Sequence, residues 1–107
     1  VLIPGDMGTA SYLLIGSDSA MQQTWGSTCH GAGRTMSRKG AVRHSSGRDV
    51  QKDMAQRGVA VRASGKRTLS EEVPDAYKDV ESVVSVMHES GITRKVARLK
   101  PLAVVKG

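Results

Sequence analysis

His30 stands among residues with almost no side chain, in the run Gly26-Ser27-Thr28-Cys29-His30-Gly31-Ala32-Gly33-Arg34. A neutral imidazole keeps a free lone pair at pH 7. It can ligate a metal, act as a general base, or attack phosphorus or a carbonyl carbon directly. The small residues beside it let a ligand approach the backbone. Glycine removes the Cβ wall and accepts positive φ, so successive N–H groups can face phosphate oxygens. A histidine with no chemical role is the plainer alternative, and residue type alone does not exclude it. Metal ligation has little local support, because Cys29 and His30 are adjacent and ligands are usually spaced further apart. Cys29 reads as a small buried apolar residue, and His44 and His88 have no patterned partners.

Arg34 and Arg38 are four apart and would share a helix face. Guanidinium forks suit phosphate, although a solvated basic face fits the same spacing. Pro4-Gly5-Asp6-Met7-Gly8 is a hairpin turn by composition. Its functional alternative is a backbone that approaches a ligand, with Asp6 and Ser11 as polar contacts. Tyr77 reads as a half-buried residue near a helix start. Lys106 reads as a frayed penultimate residue.

The elements that must position these residues follow from periodicity and breakers. Val1–Ile3 and Ser11–Ile15 predict a hairpin, and Asp18 or Ser19 can cap a short helix through about Thr24. Gly26–Gly33 is a loop. A helix is expected from Arg34 to about His44, and another over Arg48–Arg57 with Gly58 as its stop. Val59–Ala63 alternates as a strand, and Ser64–Glu72 reads as a polar loop. Asp75–Ser90 is the clearest helix: Ala76, Val80, Val83, Val84 and Met87 recur at three- and four-residue steps, with Tyr77 on the same side. Thr93–Lys106 divides at Lys100-Pro101 into two extended runs. The sum is one α+β domain.

Composition narrows the class. Of 107 residues, 38% are apolar and 12 more are glycine, within the globular range. One Trp, two Tyr and no Phe leave a thin core of Val, Leu, Ile, Met and Ala. The apolar runs at both ends suggest a piece of a larger sheet. Net charge is +6, which favours anionic partners such as nucleotides or RNA. A single cysteine excludes an internal disulfide and fits a reducing, cytoplasmic setting. No secretory segment or membrane-length apolar run is present.

Four segments together carry a resemblance: V-L-I-P-G-D-M-G-T-A-S-Y (1–12), G-S-T-C-H-G-A-G-R-T-M-S-R (26–38), V-P-D-A-Y-K-D-V (73–80) and V-A-R-L-K-P-L-A-V-V-K-G (96–107). In content and order they resemble the C-terminal part of the RtcB family of GTP-dependent RNA ligases. The resemblance implies an RtcB-like α+β fold, with 1–107 an incomplete, guanylate-binding and nucleophile-bearing C-terminal part of a larger catalytic domain. It implies joining of RNA 2′,3′-cyclic phosphate or 3′-phosphate ends to 5′-hydroxyl ends, in tRNA splicing and RNA repair. His30 would be the catalytic nucleophile that takes GMP from GTP. Asp6, Ser11, Gly31, Ala32, Gly33, Tyr77 and Lys106 would join His30 in binding the nucleotide, and Arg34 and Arg38 would contact RNA or phosphate. The implied partners are RNA, the N-terminal part of the same ligase and an archease-type activating protein.

Asp6 departs from the small residue expected at its position, and a carboxylate there would repel phosphate while accepting from a guanine edge. The resemblance also implies manganese held by Asp, Cys and His residues of the N-terminal part. None of those motifs lies in this chain, so no metal ligand is expected here and the 107 residues alone are expected to be inactive. The alternative from another class is a stand-alone basic RNA- or nucleotide-binding module without catalysis.

Overall fold

Alternation in the first 16 residues produces the expected hairpin. In the computed structural model, which describes residues 1–107, β1 (Leu2–Pro4) pairs antiparallel with β2 (Ser11–Gly16). The turn between them needs its glycine, because a Cβ on Gly5 would lie 2.2 Å from the Ala10 carbonyl oxygen. Strand β4 (Thr93–Leu99) adds antiparallel to the other side of β2, with a bulge between Leu13 and Leu14. The sheet order is β1-β2-β4. Period-2 alternation buries Ile3, Tyr12, Leu14 and Thr93 and leaves Leu2, Leu13 and Ile15 exposed. A second sheet pairs β3 (Ala60–Ala63) parallel with β5 (Ala103–Lys106), with Lys106 opposite Ala63.

Five helices lie between these strands, so the mixed α+β class holds. Helix α1 (Asp18–Thr24) follows Ser17 rather than Asp18 or Ser19, and the Ser17 hydroxyl reaches the Gly91 and Ile92 carbonyls instead of capping. Helix α2 (Arg38–His44) starts four residues later than expected, because Ser37 accepts from Gly40 N–H and fixes the N-terminus there. Arg34 is extended and forms an isolated antiparallel bridge with Tyr77. Arg34 and Arg38 therefore do not share a helix face. Helix α3 (Val50–Gln56) lies inside its expected span.

Two further expectations are corrected. Ser64–Glu72 is not a loop: Lys66–Glu71 forms helix α4, with Leu69 as its buried residue. The helix expected from Asp75 is interrupted. Pro74–Ala76 forms a single 3₁₀ turn, Tyr77 is extended, and Asp79 accepts from the Glu81 and Ser82 N–H groups to start α5 (Val80–Glu89). Val80 and Val84 are the buried residues of α5, while Ala76 and Tyr77 pack elsewhere.

The core is thin and divided. One cluster joins Met7, Ala41, Val50, Met54, Val59, Val61, Leu69, Val73 and Ala76. The other joins Ile3, Ala10, Tyr12, Leu14, Ala32, Val80 and Val84. Only 19 of 107 residues are buried, and the one tryptophan, Trp25, is 87% exposed. The radius of gyration is 15.4 Å, against about 13 Å for a compact domain of this length. Leu2, Leu13 and Ile15 make an apolar outer face on the β1-β2-β4 sheet. Such a face drives association in water. The isolated 107-residue chain is expected to self-associate and to enhance ANS fluorescence, and the pair Leu13→Lys and Ile15→Lys to reduce both. Gel filtration with ANS titration checks this; a monomeric elution without dye enhancement would contradict it.

Candidate functional site

The loop around His30 is pinned by backbone hydrogen bonds on its downstream side. Ala32 N–H donates to the Pro4 carbonyl at 3.0 Å, Thr35 N–H to Ala76 at 2.8 Å, and Lys78 N–H to Gly33 at 3.0 Å. Gly33 turns the chain at φ +76°, a conformation that strains any other residue. Ala32 is buried in the cluster under the hairpin. His30, two residues upstream, is exposed, and its ring makes no hydrogen bond within the chain. A buried anchor thus carries an imidazole whose two nitrogens are both free. A Cβ at Gly31 would meet Pro4 only at 3.5 Å, so Gly31 leaves room beside His30 rather than avoiding a clash.

Ser11 pairs with Pro4, the residue that receives Ala32. The half-buried Ser11 therefore stands at the sheet end where the His30 loop is tied. Asp6 is engaged differently. One carboxylate oxygen accepts from Gly8 N–H and the other from the Thr9 hydroxyl, each at 2.8 Å. Both acceptors serve the hairpin turn.

Three more of the residues singled out in the sequence converge on a carboxylate that was not. The Arg34 guanidinium donates through Nη1 to the Tyr77 hydroxyl at 3.0 Å and to Glu72 Oε1 at 3.4 Å, through Nε to the Met36 carbonyl at 3.1 Å, and through Nη2 to the Glu71 carbonyl. It also lies over the Tyr77 ring, 4.9 Å from the centroid. The Tyr77 hydroxyl donates to Glu72 Oε2, and Lys106 Nζ stands 3.5 Å from the same oxygen. Lys106 is held in strand β5 rather than frayed. Partial burial pushes the Glu72 carboxyl up, but the Tyr77 hydroxyl and the Lys106 and Arg34 charges outweigh it and hold Glu72 below the ordinary glutamate range. Burial and then Glu72 raise the Tyr77 phenol. No local pattern marked Glu72; its only signal was adjacency to the Val73–Val80 motif.

Arg38 stands apart, exposed at the start of α2. Cys29 is half-buried against the hairpin cluster. His44 does have a partner: its Nε2 lies 2.9 Å from Asp75 Oδ2, which also accepts from Arg48 at 3.0 Å. A surface hollow of about 370 Å³ is lined by Gly47–Gln51, Lys66, Leu69 and Ser70 and contains none of the candidate residues. No three His, Cys, Asp or Glu side chains converge in a metal-binding arrangement. No helix is long and apolar enough to cross a membrane.

Comparison with known proteins gives a single answer. The family model described as tRNA-splicing ligase RtcB matches residues 1–107. The chain is 56% identical over 107 residues to a tRNA-splicing ligase RtcB of Methanopyrus kandleri, covering all of this chain and 11% of that protein. It is 53% identical to the tRNA-splicing ligase RtcB of Methanococcus maripaludis, covering 22% of it, and 53% identical to that of Pyrococcus horikoshii, covering 12%. The chain thus spans between about a tenth and a fifth of the length of these relatives. The matches carry the family; placement at the C-terminal end does not follow from them.

The carboxylates give a pH dependence with a definite sign. Asp75 is held low by His44 first, then by Arg48, against partial burial, and Glu72 is also held low. A depressed folded-state value contributes stability above the unfolded value and loses it as pH falls through the folded value. Stability of the full-length protein is expected to hold above about pH 5 and to decline below the ordinary values of 4.5 for Glu and 3.8 for Asp. Asp75→Asn is expected to flatten part of that decline. Urea unfolding across pH 3 to 7 measures it, and an unchanged acid slope in the variant would remove Asp75 from the account.

Proposed function

The chain belongs to the tRNA-splicing ligase RtcB family, and from that premise we propose that it supplies the nucleophile and part of the nucleotide pocket of a GTP-dependent RNA ligase. One observation carries the reading: His30 is exposed and unpaired on a loop anchored by the buried Ala32 and by the left-handed turn at Gly33. A nucleophilic imidazole needs a free lone pair and a fixed position. This loop leaves the lone pair free and anchors the chain two residues downstream of His30.

In the proposed sequence a His30 ring nitrogen attacks the α-phosphorus of GTP. The bond from that phosphorus to the bridging oxygen of the β-phosphate breaks, and pyrophosphate leaves. GMP remains on His30 through a P–N bond. An oxygen of an RNA 3′-phosphate, formed where needed by opening a 2′,3′-cyclic phosphate, then attacks the same phosphorus and releases His30. A 5′-hydroxyl finally attacks the activated RNA phosphate, forms the new phosphodiester and expels GMP. Gly31, Ala32 and Gly33 leave space for the guanylate beside the backbone, and Ser11, Tyr77 and Lys106 contact it. Arg38, exposed and free of carboxylate partners, serves RNA phosphate. Asp6 shapes the hairpin turn, and Arg34 supports Tyr77. tRNA halves or broken RNAs would be the substrates, with an archease-type protein as activator.

Manganese does not fit the residues of this chain, since no three of its potential ligands converge. Any such ions would be held by the rest of the protein, whose share exceeds three-quarters of the relatives' length. The 107 residues alone are therefore expected to be inactive.

With α-labelled GTP and manganese, full-length protein is expected to take an acid-labile label at His30. His30→Ala is expected to lose it and to lower ligation by about a thousandfold or more. The isolated 107-residue chain is expected to stay unlabelled. A His30→Ala protein that labels normally would overturn the role of His30, and stable labelling of the isolated chain would overturn its dependence on the remainder.

A further inference from the structure

Glu72 is the one carboxylate that Arg34, Tyr77 and Lys106 share. We infer that Glu72 is a positioning residue of the nucleotide site, an anionic hub that fixes the Lys106 ammonium and the Tyr77 ring for the bound guanylate. The inference deepens the ligase reading and rests on it.

The geometry gives the hub no substitute. Glu72 comes from the end of α4, Tyr77 from the segment before α5, Arg34 from the pinned loop and Lys106 from β5. Three stretches distant in sequence, around Arg34, Glu72–Tyr77 and Lys106, therefore meet at two carboxylate oxygens. The neighbouring Glu71 side chain is turned to Arg67 instead. The Lys106 ammonium has no partner except Glu72. Its long flexible stem would otherwise let the ammonium range through solvent. Its strand has only β3 beside it, so the backbone alone restrains it weakly.

The division of hydrogen bonds also assigns the Tyr77 hydroxyl. It gives its proton to Glu72 and accepts from Arg34, so the hydroxyl is occupied and the ring is what Tyr77 has to offer a ligand. The side chain of Glu72 is only 18% exposed, against 21% for Arg34 and 31% for Lys106. Removing the anion would leave two half-buried cations facing each other across an empty position. Partial burial opposes ionisation of Glu72, and its three partners overcome that opposition, so the hub is charged at neutral pH.

The test uses full-length ligase and the variants Glu72→Gln, Glu72→Asp, Lys106→Met and the Glu72→Gln/Lys106→Met double. The readouts are kcat and KM for GTP in guanylylation of His30. Glu72→Gln is expected to raise the KM for GTP about tenfold, the size of one lost charge-assisted interaction, with kcat changed less than about threefold. Glu72→Asp keeps the charge and is expected to fall between wild type and Glu72→Gln. It also serves if the amide variant folds poorly. Because Glu72 acts in part through Lys106, the double variant is expected to be less impaired than the two single variants combined. The KM of the wild type is expected to rise as pH falls through the acid range, and that of Glu72→Gln to lose this dependence. An unchanged KM in both Glu72 variants, or strictly additive effects in the double, would overturn the inference while leaving the ligase reading intact. A wild type that takes no label would overturn both.

Discussion

The strip from Ala32 to Thr35 is held from two sides by backbone hydrogen bonds, and the molecule's two packed clusters meet through it. Ala32 binds the end of β1 and packs under the hairpin; Thr35 binds Ala76, whose side chain sits in the other cluster. An irregular segment that joins two packed clusters needs partners for those of its N–H and C=O groups that water does not reach. Here those partners are Pro4, Ala76 and Lys78. The glycines around His30 answer to different demands. Gly33 answers to its positive φ, whereas Gly31 has room for a side chain and answers to the space beside His30.

That constraint separates fixed from free along a few residues. From Ala32 onward every step is tied, whereas His30 projects beyond the last tie. The same strip delivers Arg34 to Tyr77, and Tyr77 to Glu72. The pinned loop therefore presents His30 at one end and organises a polar cluster at the other. The interruption of the helix at Tyr77 belongs to the same logic. A continuous helix from Asp75 would turn Tyr77 toward the apolar side of α5 and forfeit its bridge to Arg34. Asp79 restarts the helix by satisfying the first free N–H groups.

The hairpin, β3, both terminal strands and the apolar face of α5 were legible because each expresses its period over enough residues. Helix α4 was not, since six residues with one buried leucine show no periodicity against a polar background. Tyr77 was misplaced because Ala76, Val80 and Val84 fall at helical spacing although a cap at Asp79 divides them. Arg34 departs from its expected helix for the opposite reason: nothing in its neighbourhood forbids a helix, and only the distant Tyr77 and Ala76 hold that stretch extended. His30 and its loop were visible in the sequence as types and spacing. Glu72 was not, because its significance arises when the fold brings Arg34 and Lys106 from across the chain to it and Tyr77.

The charge pairing also changes what the basic composition means. Arg34, Arg48, Arg67, Lys95 and Lys106 each meet a carboxylate, so 5 of the 16 cations are already partly neutralised. Two of these five, Arg34 and Lys106, belong to the candidate site and share Glu72. A cation paired within the protein attracts phosphate less than a free one, because the anion at its side offsets the field. Such a pair suits directional contact better than bulk neutralisation. Under the ligase reading, the triphosphate and RNA charge would fall chiefly to the backbone N–H groups near His30, to unpaired cations such as Arg38, and to groups in the rest of the protein. The sparse core points the same way. A chain with an exposed apolar sheet face and an elongated shape leaves its packing open, and under the ligase reading its phosphate site is open too. Both shortfalls are met if the remaining length of the ligase covers the sheet and brings its charges to His30.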